Sequence, residues 1–134
     1  MMRYNKIKEN SKTEMVSADI FKDSRGTIFS FPIDDNLTEY NLMVTKKGDE
    51  RGYHYHPEFN EYMMVVSGSC EYTEFSSDED ITIRLDVGDS IRIPIGTSHK
   101  FRALEDYSFV SMLTKHWDKC NDPIVKVNKN GNEV

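Results

Sequence analysis

Two histidines and a glutamate stand at a spacing that can bring metal-binding side chains together. His54 and His56 are two residues apart, and because side chains alternate across a β-strand, both imidazoles would leave the same face. Pro57 and Asn60 then allow the chain to turn back before Glu61 opens a second apolar run. Two imidazoles and a carboxylate suit zinc, iron, manganese or nickel. The stretch therefore predicts a site for one divalent transition metal.

A second stretch supplies a further candidate ligand. Residues 88–99 read as a glycine, a short strand, a Pro-x-Gly turn and His99. We expect the imidazole of His99 to complete the ligand set as its fourth member.

Short strands must position these residues. Runs of β-branched and aromatic residues are separated by turn sequences roughly every ten residues, the spacing expected of a double-sheet jelly roll. Apolar residues alternate with period two in 81–85 and again in 91–93. Helix is predicted only at the termini, and residues 15–31 are predicted to form a hairpin that leads into the barrel. The later strands are predicted at 40–45, 62–66, 70–75, 81–85, 91–93, 100–103 and 107–113.

The length of 134 residues fits one domain with its own core. We predict a polar lead-in over residues 1–13, a barrel over 14–117 and a tail or edge segment over 118–134. His116 and Trp117 are expected to cap one end of the barrel, and packing in the core is the alternative for Trp117.

The composition excludes several classes of function. The net charge of −6 argues against a nucleic-acid partner, since phosphate binding needs a basic surface. The two cysteines, Cys70 and Cys120, form no metal-ribbon or redox motif and are expected to be free thiols. No apolar run resembles a signal peptide or a membrane span, so a cytoplasmic protein without a membrane partner is expected.

Taken together, the two stretches resemble the signature of the cupin superfamily. That signature is Gly-x5-His-x-His-x4-Glu-x6-Gly followed by Gly-x5-Pro-x-Gly-x2-His-x3-Asn, and this chain departs from it only at Ala103, which replaces the final Asn. The family Asn at this position does not bind the metal. The resemblance implies an all-β, single-domain jelly-roll barrel, the double-stranded β-helix, whose metal ligands are His54, His56, Glu61 and His99.

Two arginines point to one branch of that superfamily. Arg51-Gly52 directly precedes His54, and Arg25 lies in the turn before the second strand. These features resemble the nucleotide-sugar-modifying cupins, which include thymidine-diphosphate-sugar 3,4-ketoisomerases, the 3,5-epimerases of dehydrorhamnose synthesis and a capsular-polysaccharide cupin domain. The resemblance implies that His54 is a base, that Arg25 and Arg51 bind the diphosphate, and that residues 15–31 are exchanged in a homodimer. For either arginine, a surface ion pair in an acidic protein is the alternative.

A bound metal would change the assignment of the base. If His54 and His56 bind an ion, their lone pairs are not free to take a proton. The base is then Glu61, Tyr62, Tyr107 or a metal-bound hydroxide. The metal would polarise a sugar carbonyl and stabilise the enediolate that forms when the neighbouring proton leaves.

Three functions therefore remain open from the sequence. The favoured one is a sugar isomerase or epimerase that acts on a nucleotide-linked or phosphorylated sugar. The others are an iron-dependent oxygenase of the small-cupin type and a sugar-binding module without turnover. Iron with oxygen uptake would favour the oxygenase, and ligand binding without proton exchange would favour the binding module.

Overall fold

The computed structural model describes residues 10–134 and shows an all-β chain. Residues 1–9 of the predicted lead-in lie outside the described residues. The only helix in the described part is a single 3-10 turn at Trp117–Lys119, and no helix there is long and apolar enough to cross a membrane. The strands are β1 Glu14–Met15, β2 Asp19–Asp23, β3 Gly26–Ser30, β4 Glu39–Thr45, β5 Glu50–Tyr55, β6 Glu61–Ser67, β7 Ser69–Glu74, β8 Ile81–Asp86, β9 Ser90–Ile93, β10 His99–Ala103, β11 Tyr107–Leu113 and β12 Val125–Lys126.

Two five-stranded antiparallel sheets form the barrel. One has the strand order β1-β9-β6-β11-β4 and the other β12-β5-β10-β7-β8, while β2 and β3 make a separate two-stranded hairpin. The predicted jelly roll is confirmed. Side chains from both five-stranded sheets share one core, which consists of Met63, Val65, Cys70, Tyr72, Ile83, Leu85, Ile91, Ile93, Phe101, Ala103, Tyr107 and Phe109.

The alternation predicted from the sequence appears as alternating burial. In β8 every second residue from Ile81 is buried, and in β9 the buried Ile91 and Ile93 flank the partly buried Arg92. Strand β11 alternates in the same way from Tyr107 to Leu113. Ser111 is the polar member of the buried face of β11. This register sends its hydroxyl into the barrel, beside the candidate ligands described below.

The segment before β1 is fixed to the barrel by the buried carboxylate of Glu74. One oxygen of Glu74 accepts hydrogen bonds from the Ser11 hydroxyl (2.7 Å), the Thr13 amide (3.0 Å) and the Thr13 hydroxyl (2.6 Å). The other accepts the Lys12 amide at 3.1 Å. Because β1 pairs with β9 of the first sheet while Glu74 lies in the second, these bonds tie the two sheets together. Residues 11–13 of the predicted lead-in are therefore fixed to the barrel.

We expect Glu74→Gln to lower the free energy of unfolding by about 2 kcal/mol, the scale of hydrogen bonds to a charged acceptor. The amide nitrogen of Gln would face a backbone donor and lose that bond. Burial alone would raise the pKa of Glu74, but the hydrogen bonds from Thr13, Ser11 and Lys12 lower the pKa on balance. The contribution is therefore full above the unfolded pKa of about 4.3 and is lost as pH falls through the folded value.

Urea unfolding at several pH values measures this effect. Glu71→Gln is the matched control, because Glu71 lies on the same strand and, among residues 10–134, its carboxylate pairs with the partly exposed Arg102 at 3.7 Å. Equal stability of the Glu74→Gln variant and the wild type at pH 7 would show that this carboxylate does not hold the segment.

Candidate metal centre

A β-bulge in β5 sets the position of the first candidate ligand. His54 is opposite His99 on β10, but the next residue of β10, Lys100, is opposite Gly52, so Tyr53 is the extra residue of the bulge. Gly52 has a φ of +111° and Tyr53 a φ of +58°. A Cβ atom at Gly52 would lie 2.8 Å from the carbonyl oxygen of His99. Glycine at this position thus allows the close approach that places His54 beside His99.

Three imidazoles converge inside the barrel. The candidate ligand atoms of His54, His56 and His99 all lie within 4.8 Å of one another. The ring centroids are 4.7 Å apart for His54 and His56, 5.0 Å for His54 and His99, and 5.3 Å for His56 and His99. His56 and His99 are buried and His54 is partly buried. The structure therefore brings together the three histidines that the sequence singled out.

Glu61, the first residue of β6, joins two of these histidines. Its Oε1 atom lies 3.1 Å from Nε2 of His56 and 3.7 Å from Nε2 of His99, and its Oε2 atom accepts the hydroxyl of Ser111 at 2.6 Å. Burial alone would raise the pKa of Glu61, but the contacts with His56 and His99 and the hydrogen bond from Ser111 lower the pKa to about 2. The group is a carboxylate throughout the physiological range.

The backbone decides which nitrogen of two rings is free. Nδ1 of His99 lies 2.8 Å from the carbonyl oxygen of Thr97, and Nδ1 of His56 lies 3.1 Å from that of Pro123. A carbonyl oxygen only accepts, so both Nδ1 atoms must carry the proton. In the neutral rings the Nε2 lone pairs of His56 and His99 then point towards the Glu61 carboxylate.

This arrangement fits a bound cation. Two acceptors 3.1 Å apart, as Nε2 of His56 and Oε1 of Glu61 are, need a proton or a positive ion between them. Nε2 of His99 is fully buried and has no hydrogen-bond partner among the described residues. A divalent metal would satisfy the Nε2 atoms of His56 and His99, and each of these two imidazoles would be oriented by an acceptor on its other nitrogen, as is usual for metal-binding histidines.

The protonation states agree with this fit. Burial lowers the pKa of His54 to about 3, with the neighbouring His99 and His56 adding to the effect. Burial also lowers the pKa of His99. Neutral imidazole is the form that binds a metal, so neither ring would have to lose a proton at neutral pH.

A cavity of about 150 Å³ opens above the histidines. Apart from the candidate ligands its walls are largely apolar, and the apolar residues are Met43, Phe59, Phe101, Phe109, Leu113 and Trp117. Trp117, which is 40% exposed, packs near Phe59 with ring centroids 6.3 Å apart. The cavity is smaller than the 300–1,000 Å³ typical of ligand pockets, so a large ligand would have to extend beyond it.

The two predicted anion-binding arginines lie in different places. Arg51 lines the cavity, donates to the hydroxyl of Thr45 at 2.8 Å and to the carbonyl of Val44 at 3.2 Å, and makes no ion pair with a described residue. Arg25 lies in the β2–β3 turn, is 85% exposed and pairs with Asp23. Arg25 is therefore outside the cavity of its own chain.

The two tyrosines proposed as bases do not line the cavity. Tyr62 follows Glu61 in β6 and faces the other side of the sheet, where its hydroxyl donates to Asp35 at 2.5 Å. Tyr107 is buried in the core and stacks on Phe109 at 5.6 Å. The alternation that points Glu61 inward is the reason that Tyr62 points away.

Two contributors to the site were not predicted. Ser111, which bonds Glu61, could have been found from the period-two pattern of β11, where it is the polar residue on an otherwise apolar face. The carbonyl of Pro123, which bonds His56, leaves no such signal, because a backbone group carries no sequence identity.

The fold and the site together define a cupin. The family model for the cupin domain matches residues 41–113, more than half of the chain, so the chain belongs to the cupin family. A comparison with curated proteins finds no match.

Solved structures with the same fold include nucleotide-sugar enzymes. A 3,4-ketoisomerase from Helicobacter canadensis is 17% identical, with a TM-score of 0.76 over 86% of this chain and 90% of that chain. The 3,5-epimerase RmlC from Legionella pneumophila, crystallised with dTDP-4-keto-L-rhamnose, is 19% identical, with a TM-score of 0.75 over 91% of this chain and 76% of that chain. The sugar 3,4-ketoisomerase QdtA from Thermoanaerobacterium thermosaccharolyticum, in complex with TDP, is 14% identical, with a TM-score of 0.76 over 90% and 91%. At these identities the likeness establishes the fold.

Proposed function

We propose that this protein is a metal-binding cupin that isomerises or epimerises a nucleotide-linked or phosphorylated sugar by removing a proton next to a carbonyl. The observation that carries the metal is the buried Nε2 atom of His99, whose tautomer leaves a lone pair without a partner among residues 10–134. The ligands would be His54, His56, Glu61 and His99, and the ion would be zinc, iron, manganese or nickel. When bound, such a metal supplies Lewis-acid polarisation of the carbonyl oxygen.

Proton transfer and phosphate binding would be carried out by different residues of the chain. Among the described residues that line the cavity, Glu61 is the one carboxylate, and we assign to it the acceptance of the proton while Ser111 holds its other oxygen. Arg51 stands at the cavity with its guanidinium oriented by Thr45, and it would hold the phosphate or diphosphate outside the small apolar cavity. The sugar alone would then enter the cavity.

The solved structures support the sugar part of the proposal. The proteins from Helicobacter canadensis, Legionella pneumophila and Thermoanaerobacterium thermosaccharolyticum are ketoisomerases and an epimerase, and two of them hold thymidine nucleotides in their crystals. These proteins share the fold of this chain across most of their length, which makes nucleotide-linked 4-keto-6-deoxy sugars the first substrates to test.

Hydrogen exchange tests the reaction class directly. The metal-loaded protein is incubated with nucleotide-linked 4-keto-6-deoxy sugars and with sugar phosphates in deuterated water, and carbon-bound hydrogen is followed by NMR. Deuterium should enter next to the carbonyl, and chelation should stop it. Absence of exchange across the panel would reject proton abstraction.

We expect Arg51→Lys to raise KM for the phosphorylated sugar by about tenfold, or ~1.4 kcal/mol of binding, with little change in kcat. Lysine cannot donate to Thr45 and Val44 while also presenting a planar pair of donors to a phosphate. Steady-state kinetics measure the effect. Arg102→Lys, on the partly exposed face of β10, is the control, and an unchanged KM for Arg51→Lys would remove Arg51 from the binding site.

We also propose a homodimer. The β2–β3 hairpin pairs with neither main sheet, and a two-stranded hairpin alone is marginally stable in water. Its Phe21 and Ile28 are 56% and 58% exposed. Among the described strands, β4 is the edge of its sheet, and it exposes Tyr40 and Leu42. A second copy could cover both surfaces, and Arg25 would reach a sugar only from the hairpin of a partner.

Light scattering measures the oligomeric state, and the dimer should be the main species at micromolar protein concentration. Leu42→Asp places a charge on the exposed β4 face and should shift the protein towards monomer, whereas Lys126→Asp on the opposite sheet should not. A wild type that is monomeric at high concentration would contradict the proposal.

An iron-dependent oxygenase is the second candidate, and a specific observation favours it. The low pKa of Glu61 and of His54 makes both groups weak bases, whereas an oxygenase needs no strong base in this position. The small, largely apolar cavity also suits an apolar substrate. Oxygen consumption by the iron-loaded protein, without hydrogen exchange on any sugar, would select this candidate.

A further inference from the structure

The chain that follows β11 runs beside the candidate metal centre. Residues 115–123, named here the C-terminal loop, lead from the end of β11 to β12. The loop carries Trp117 to the cavity, and at its end the carbonyl of Pro123 accepts the Nδ1 proton of His56 at 3.1 Å. The loop thus contacts both the cavity wall and a candidate ligand.

One carboxylate holds both ends of this loop. Oε1 of Glu58 pairs with the ammonium group of Lys115 at 2.8 Å, and Oε2 of Glu58 accepts the amide of Asp122 at 2.6 Å. Glu58 lies in the turn between His56 and Glu61. The same turn that spaces two candidate ligands therefore also fixes the loop that supplies the acceptor for one of them.

Beyond the loop, the chain stays attached to the strand that carries His54. In β12, Val125 is opposite Tyr55 and Lys126 is opposite His54. The amide of Val127 donates to the carbonyl of Tyr53, the bulge residue, at 2.8 Å, and the Val127 side chain is buried. Movement of the loop would therefore disturb β5 where it bears its ligands.

We propose that the C-terminal loop, held by Glu58, is a positioning element of the metal centre. Its Pro123 carbonyl keeps the proton of His56 on Nδ1 and turns Nε2 towards the ion. Linkage then works in both directions: the bond from the Asp122 amide to Glu58, next to Pro123, strengthens metal binding, and the metal stabilises this end of the loop. The inference rests on the metal centre proposed above. It names Glu58 as the positioning residue, because Pro123 contributes its backbone carbonyl, which a side-chain substitution would not remove.

Cobalt binding by full-length variants tests the inference. We expect Glu58→Ala to weaken Co²⁺ binding by about 10-fold, the lower end of the effect of an outer-shell partner, and to shift the visible spectrum of the bound ion. Glu58→Gln keeps an acceptor for the Asp122 amide and should restore most of the affinity. Lys115→Met removes only the ion pair with Glu58 and is the matched control, with unchanged affinity and spectrum.

Hydrogen exchange on the wild type gives a second measurement that does not depend on any variant folding. Co²⁺ should slow exchange of the amides of Asp122 and Val127, because ion binding at His56 stabilises the loop through Pro123. The amide of Thr82 in β8, remote from the loop, should not respond.

Each alternative outcome overturns the inference in a recognisable way. If the wild type binds Co²⁺ and Glu58→Ala binds it as tightly with the same spectrum, the positioning role of the loop is rejected and the metal centre stands. Equal losses in Glu58→Ala and Lys115→Met assign the effect to the ion pair at Lys115 and reject the Asp122 contact as its cause. Unchanged exchange at Asp122 and Val127 rejects the coupling. Wild type that binds no Co²⁺ rejects both the metal centre and the loop's role in it.

Discussion

Replacing His99 with alanine is expected to weaken metal binding by at least about 100-fold, because loss of a direct ligand should exceed the 10- to 100-fold cost typical of an outer-shell partner. His99 is fully buried and its Nε2 atom has no other hydrogen-bond partner among the described residues. Isothermal titration with Zn²⁺ measures the loss. A side chain that served only to fill the core would leave metal affinity unchanged when it is replaced.

Two further variants separate binding from folding. His99→Gln keeps most of the side-chain volume and should also lose the metal, while removing the cavity that alanine would create. His116→Ala changes the fourth histidine of the chain, whose side chain is 48% exposed beside Glu39, and should bind the metal as the wild type does. Tight binding by both His99 variants would exclude His99 from the ligand set.

Glu61→Gln is expected to lower the rate of hydrogen exchange at the substrate by about 100-fold or more, the usual range for loss of a general base. The substitution keeps the shape of the side chain but removes the negative charge that faces His56 and His99. It should also weaken metal binding, since a neutral amide oxygen is a poorer ligand than a carboxylate. Exchange rates at saturating metal separate the two effects.

Ser111→Ala is the graded companion to that variant. It leaves the Glu61 carboxylate in place and removes only the hydrogen bond to Oε2, so its effect should be much smaller. Full exchange activity in Glu61→Gln at saturating metal would show that the proton is taken by another group.

The convergence of the candidate ligands was largely predictable because its signals are local. His54 and His56 share a strand face by period two, and Glu61 opens the next strand after a turn, so short-range geometry limits where they can point. His99 required the further likeness of residues 88–99 to a family pattern, because its pairing with His54 joins residues far apart in the sequence.

The supporting contacts were not predictable because they join distant parts of the chain through groups without a distinctive sequence. Glu74 binds Ser11–Thr13, Glu58 binds Asp122, and His56 meets the carbonyl of Pro123. Several of these bonds end on backbone atoms, which any residue provides. Tyr62 is different: the alternation that turns Glu61 inward turns its neighbour away, and the choice of Tyr62 as a candidate base did not take this alternation into account.

The bulge at Tyr53 is a local irregularity that the period-two pattern of the sequence does not predict. Strict alternation predicts the faces of His54 and His56 correctly but does not reveal that an extra residue precedes them. The glycine at position 52 was the available signal, because glycine within a strand often marks a bulge or a close backbone approach.

Metal analysis of the purified wild type is the most direct test of the proposed metal centre. Elemental analysis should find about one divalent transition metal ion per chain. After chelation, one equivalent should return on addition of zinc, iron, manganese or nickel, and a variant with His54, His56 and His99 all replaced by alanine should hold none. The proposed metal centre would be contradicted if the wild-type protein carries no metal as purified and takes up none of these ions at micromolar concentration.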